Sequence, residues 1–220
     1  MLSCQANLGE LLTTPSETSA RRRRSDGERS RAAILDAATR LATVEGLDGL
    51  SIGRLAEHTG MSKSGLYAHF GSKEELQLAT IDAASEIFVR EVIEPARAAE
   101  GVARLEALSE AFLSYLERKV FPGGCFFAAA QAELDTHPGP VREKLRETSG
   151  RWLAYVERQV RGAQEMGELR ADEDPAQLAF EIDAMLKMAT AVFVLHDDEE
   201  ALVRARRGVE SRVARAKIGE

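Results

Sequence analysis

Apolar residues recur at helical spacing through most of the chain, and the breaks between these runs set the predicted elements. Ile34, Leu35, Ala38, Leu41 and Ala42 form one stripe, which predicts a helix over 29–45 that Gly46 stops. Ile52, Leu55 and Ala56 predict a short second helix over 52–59, and Leu66 and Phe70 a third over 63–70. A fourth begins after Ser72 and carries Leu76, Ile81, Ala84, Phe88 and Val92 towards Pro95. Leu105, Leu108, Phe112, Tyr115 and Leu116 place a fifth over 102–120, ended by Phe121-Pro122-Gly123-Gly124. A sixth over 125–134, a seventh over 140–164 and an eighth over 175–195 follow, separated by breaks that carry Pro and Gly, and a ninth over 198–214 follows an acidic break. The eighth is apolar on two sides: Leu178, Ile182, Met185, Leu186, Ala189, Val192 and Phe193 on one, Phe180, Met188 and Leu195 on another. Such a helix must be covered on both. Residues 1–27 show no sustained period and read as a disordered tail with a basic run at Arg21–Arg24.

Composition narrows the class. The 220 residues are 44% hydrophobic and 30% charged, with six prolines and few aromatics, which favours an all-α globular fold. No run of about 18 apolar residues exists, so no membrane span is expected. The first 20 residues lack a secretory pattern, and two cysteines do not make a disulfide framework, so a cytoplasmic location is expected. Net charge is −7, unevenly distributed: residues 21–75 hold ten Lys/Arg against eight Asp/Glu, leaving the acidic excess to the remainder. A near-neutral or basic segment joined to an acidic body suits a nucleic-acid reader that avoids other polyanions.

The stretch SIGRLAEHTGMSKSGLYAHFGSKEE at 51–75 carries the chemistry. Ser51 and Ser62 stand where N-caps are wanted, Gly60 supplies a sharp turn and Met61 fills the angle between two short helices. Lys63, Ser64, Tyr67 and His69 are left pointing outward, a face of donors suited to a DNA major groove. Ser72, Glu74 and Glu75 cap and charge the start of the next helix. The preceding amphipathic helix, the Ser-Lys-x-x-Leu-Tyr-x-His-Phe run at 62–70 and the Gly-Ser-Lys-Glu-Glu-Leu run at 71–76 together resemble the N-terminal domain of the TetR family of bacterial transcriptional regulators. The resemblance covers roughly residues 28–76 and implies a helix-turn-helix DNA-binding domain at 28–75, followed by a helical ligand-binding and dimerisation domain at 76–220. It implies base-edge contacts from Lys63 and Ser64, phosphate contacts from Tyr67, His69 and Lys73, and flanking contacts from Ser51 and Arg54. Arg21–Arg24 reads either as an arm reaching the DNA or as a solvated tail.

One such helix reads only a few base pairs, so two copies on a palindromic double-stranded operator are expected, joined through helices near 175–214. The resemblance further implies a repressor released by a small-molecule inducer; no residue excludes activation instead. Candidate pocket residues are Phe88, Phe112, Tyr115, Phe127, Gln131, Trp152, Tyr155, Met185 and Met188, although such stripes also build cores. Cys125 reads as a thiol of lowered pKa at a helix start or, better, as a small buried apolar residue, since Cys4 lies far off in the tail. His196-Asp197-Asp198 admits a metal corner but is equally a helix break. No metal, cofactor or catalytic set is expected. The rival to a regulator is a dimeric ligand-binding protein that no longer reads DNA.

Overall fold

The computed structural model describes residues 17–219, those before Asp26 as backbone only. Over these residues it holds nine α-helices and no β-strand: α1 Glu17–Glu45, α2 Ile52–Thr59, α3 Lys63–Tyr67, α4 Lys73–Phe88, α5 Gly101–Glu117, α6 Phe126–Leu134, α7 Pro140–Glu165, α8 Pro175–His196 and α9 Glu200–Ala216. The expected all-α architecture is present. A lone antiparallel bridge joins Leu169 to Lys217.

Four boundaries differ from the sequence expectation by more than two residues, each for a local reason. α1 starts at Glu17, so residues 17–27 are helical rather than disordered. They have no apolar stripe; the segment, with four consecutive arginines at 21–24, extends a helix that packing stabilises further on. The first 16 residues of the expected tail lie outside the described residues. α3 closes at Tyr67 instead of Phe70. The Leu66 carbonyl accepts from His69 N–H at 3.0 Å and Phe70 N–H at 3.1 Å, and this tightened turn directs Phe70 into the core. α4 passes at Phe88 into a π-helical turn, Val89–Ile93, closed by Glu94 N–H on the Val89 carbonyl at 2.9 Å. α5 ends at Glu117 because Lys119 takes a left-handed conformation, φ 48°.

Serines start the three short-range elements as expected. Ser51 Oγ accepts from Arg54 N–H at 3.2 Å, Ser62 Oγ from Gly65 N–H at 3.1 Å and Ser72 Oγ from Glu75 N–H at 3.0 Å. Glu75 reaches back to Gly71 N–H at 2.9 Å, which closes a reciprocal cap on α4. Gly60 ends α2 at φ 68°. The head formed by α1, α2, α3 and the first turns of α4 encloses Ile34, Leu47, Leu50, Leu55, Leu66, Phe70 and Leu76, all buried. Each buried leucine contributes roughly 1.5–3 kcal/mol relative to exposure. The Arg31 guanidinium covers the Phe70 ring at 4.7 Å, closing the open side of this core.

In the body α8 lies between α7 and α9 and buries Leu178, Ile182, Leu186 and Phe193. Arg212 of α9 bonds both Glu173 and Glu181, tying α9 to the start of α8. The opposite side of α8 leaves Phe180, Met188, Val194 and Leu195 exposed.

Candidate DNA-reading head and ligand cavity

α2 and α3 meet across the Gly60 turn, with Leu55 and Leu66 buried between them. This packing turns Lys63, Ser64 and Tyr67 outward; Tyr67 is 58% exposed. The Ser64 and Ser62 hydroxyls are 3.2 Å apart, so part of the Ser64 hydrogen-bonding capacity is used within the turn. The Lys63 ammonium lies over α2, 3.8 Å from where a Cβ at Gly53 would stand. Among the described residues Lys63 makes no ion pair. His69 is half-buried, with its ring 6.3 Å from that of Phe70, and so belongs partly to the core.

The other two cations expected at phosphates are already paired. Arg54 makes two bonds to Glu45, 2.6 and 3.0 Å, and one to Glu57 at 3.1 Å. The guanidinium beside Glu45 holds that carboxyl below the usual range, and Glu45 in turn raises Arg54. Lys73 sits 2.9 Å from Asp48 and lowers its pKa in the same way. Both pairs are solvent-exposed, so each is weak enough to exchange for a phosphate. Ser51, half-buried at its cap, stands one turn from Arg54.

Head and body are joined at a point the sequence does not announce. Glu133, on the last turn of α6, accepts from Leu47 N–H at 2.7 Å and Asp48 N–H at 3.0 Å. Its carboxylate fills the space beside Gly46, whose φ of 85° and lack of a side chain admit it. Gln77 secures the same loop through a 2.8 Å bond to the Leu47 carbonyl. Just before α6, Gly123 N–H donates to Thr43 Oγ1 at 3.1 Å.

α6 also walls a cavity of about 560 Å³ in the body. Of the residues expected to form a pocket, Phe88, Phe112, Phe127, Gln131, Trp152 and Tyr155 line it. Phe88 is the centre of the aromatic wall, edge-on to Phe112, Phe127 and Trp152. Three expected residues stand outside. Tyr115 is fully buried behind Phe88, its hydroxyl close to Cys125; Met185 faces α9 at Gly208; Met188 is on the exposed side of α8. A helical stripe identified their shared periodicity but not which neighbour each face meets.

Polar groups that periodicity did not mark complete the lining: Ser85, Thr148, Ser149, Arg151, Arg158, Asp183 and Lys187, together with Val89 and Ile93 from the π-helical turn. Thr148, Arg151, Tyr155 and Arg158 follow helical spacing on the Trp152 side of α7, which is the one signal that could have found them. Asp183 is buried, accepts from Trp152 Nε1 at 2.8 Å and pairs with Lys187 at 2.9 Å. Cys125 also touches the cavity, and burial pushes its thiol up rather than down, in keeping with a small apolar residue. Asp198 of the expected acidic break bonds Glu200 N–H and Arg204, both in α9.

Residues 34–80 match the family model described as bacterial regulatory proteins, tetR family, and residues 101–209 the tetracyclin repressor-like C-terminal domain. The HTH-type transcriptional regulator LmrA of Bacillus subtilis is 31% identical over 138 residues, 60% of this chain and 71% of that protein. The chain belongs to the TetR family. It is therefore a DNA-binding transcriptional regulator, with α2 and α3 as its helix-turn-helix and a C-terminal domain of the ligand-binding type. A TetR transcriptional regulator from Chloroflexus aurantiacus superposes with a TM-score of 0.82 at 27% identity, over 88% of this chain and 98% of that one. AibR, in a crystal structure with isovaleryl coenzyme A and operator DNA, shares the fold at a TM-score of 0.65 and 24% identity, over 84% of this chain and 97% of its own. Among the described residues no helix is long and apolar enough to cross a membrane.

Proposed function

We propose that this TetR-family regulator is a homodimeric repressor that leaves a palindromic or near-palindromic operator when a small molecule fills its cavity. The observation that carries this reading is the double attachment of α6. One side of the helix, Phe127, Ala128 and Gln131, walls the cavity; its end, through Glu133, holds the loop that leads into α2. A ligand that displaces α6 moves the reading head, and by linkage operator DNA then weakens ligand binding by the same factor. The ligand-and-operator complex of AibR on a similar fold supports the same reading.

On the DNA, Lys63 and Ser64 reach base edges. Tyr67, His69 and Lys73 contact phosphates, and Ser51 and Arg54 the flanking backbone. Arg54 and Lys73 exchange their carboxylate partners for phosphates on docking. The second copy packs on α8 and α9, where Phe180, Met188, Val194 and Leu195 await cover. Two heads are required because one short helix reads too few base pairs for a specific site.

The test is a fluorescence anisotropy titration with the duplex upstream of the gene and a scrambled duplex, near physiological salt. A preference of roughly a thousandfold is expected for a specific site. Equal weak binding to every duplex recovered by genome-wide site selection would overturn the reading. The joint has its own test. Glu133→Ala removes two charge-assisted bonds, each worth about 1.5–3 kcal/mol. Amide exchange at Leu47 and Asp48 is expected to quicken at least roughly tenfold on that basis, while Trp152 emission stays unchanged. Unaltered exchange at both amides would show that α6 does not hold the loop.

A further inference from the structure

We infer that the cavity is built for an organic anion: a molecule with an aromatic or aliphatic body and a carboxylate, sulfonate or phosphate at one end. The inference rests on the proposal that this cavity is the ligand site, and it adds the chemical class.

The walls divide by chemistry. Phe88, Phe112, Phe127 and the face of Trp152 make an apolar interior that selects a hydrophobic body. The charged lining residues are Arg151, Arg158 and Lys187 against a single carboxylate, Asp183. This is a local excess of cations in a chain of net charge −7. Asp183 is not free to receive a cationic ligand. It is buried, and both its oxygens are engaged, one by the Trp152 indole N–H and the other by the Lys187 ammonium. The two arginines are the reverse case. Among the described residues neither has a carboxylate partner: Arg151 bonds only the Thr148 hydroxyl at 3.3 Å, and Arg158 lies over the Tyr155 ring at 5.6 Å. They stand seven residues apart on α7, two turns along one face, with Tyr155 between them. Both are exposed at the cavity edge, whereas Asp183 is inside. A ligand with its ring among the phenylalanines would therefore present its charged end to two forked guanidinium groups, the side chain best suited to bidentate contact with carboxylate, sulfonate or phosphate. The Ser149 hydroxyl flanks the same edge and can donate to the same group, whereas that of Thr148 already donates to the Lys144 carbonyl at 2.8 Å.

The chain carries its own reporter, because Trp152 is its one tryptophan and forms the cavity wall. Two probes separate charge from shape: 8-anilino-1-naphthalenesulfonate is an anion, and N-phenyl-1-naphthylamine is the same ring system without the sulfonate. Each is titrated into the full-length protein while Trp152 emission is followed, then into an Arg151→Gln/Arg158→Gln variant, whose changed side chains are exposed and whose melting curve checks folding. The sulfonate is expected to bind roughly tenfold or more tightly than the neutral probe, as charge-assisted bonds imply. In the variant that ratio falls to about one through loss of sulfonate affinity alone. Equal affinities in the wild-type protein, or a sulfonate preference that survives in the variant, would overturn the anion assignment while leaving the cavity as a ligand site. Quenching by neither probe would remove the cavity reading itself, and the anion assignment with it.

Discussion

Gly123→Ala will destabilise the protein by about 3 kcal/mol or more, the upper end of what overpacking a well-packed site costs. A Cβ at this position would stand 1.8 Å from the Thr43 carbonyl oxygen, 2.5 Å from its carbon and 2.9 Å from the Thr43 Cβ. The obstructing atoms are backbone in the last turn of α1, so no side-chain rotation relieves the contact. Relief requires the loop before α6 to withdraw from α1, which also breaks the Gly123 N–H bond to Thr43 Oγ1. For a chain of this size the cost is roughly a 6–12 °C fall in Tm. Gly150→Ala is the matched control. Gly150 lies within α7, and a Cβ there would meet nothing within 4 Å, so the added methyl favours the helix by about 0.5–1 kcal/mol. Thermal melts of the two variants should therefore move in opposite directions. A Gly123→Ala protein that melts with the wild type would mean that α1 and the start of α6 do not approach as closely as described.

The contrast between these glycines shows what the sequence makes legible and what it does not. The head is local: Ser51, Ser62 and Ser72 cap helices within three residues of themselves, Gly60 turns between neighbours, and Leu55 meets Leu66 across that turn. Periodicity and turn chemistry read such relations directly. The joint is not local. Glu133 bonds amides 86 and 85 residues away, and nothing in its own neighbourhood distinguishes it from a solvated glutamate at a helix end. The cavity falls between the two cases. Its aromatic wall follows from apolar stripes on four helices. Apolar stripes equally offered Tyr115 on α5, which went to the core behind Phe88, and Met188 on α8, which faces outward. Its charged edge was hidden because exposed arginines on a helix ordinarily mean solvent, and only the packing of α7 beside α8 turns Arg151 and Arg158 towards a common space. The pairing of Arg54 with Glu45 and of Lys73 with Asp48 was hidden for the same reason: residues 9 and 25 apart meet only after the head has folded.

Those ion pairs rank the cations of the proposed reading face, and the ranking gives the largest expected effect on DNA. Lys63→Ala should lower affinity for the specific duplex about a hundredfold or more. A good base contact discriminates by about 1–3 kcal/mol, and the proposed two-fold dimer would lose it twice. The scrambled duplex should lose much less, so the specificity ratio contracts. Arg54→Ala and Lys73→Ala should cost less than Lys63→Ala at the specific site, because each must first give up a carboxylate: Glu45 and Glu57 for the one, Asp48 for the other. Their effect should instead fall nearly equally on both duplexes, with the salt slope reduced by about one for each phosphate no longer neutralised. Asp48→Asn tests the competition from the opposite side. It releases Lys73 without touching the DNA face and should strengthen binding to either duplex, most at low salt, where exposed charges are least screened. Anisotropy titrations of the four variants at two salt concentrations settle the order. If Lys63→Ala weakened both duplexes equally, Lys63 would be a phosphate contact, and sequence reading would have to come from Ser64, Tyr67 and the shape of the operator itself.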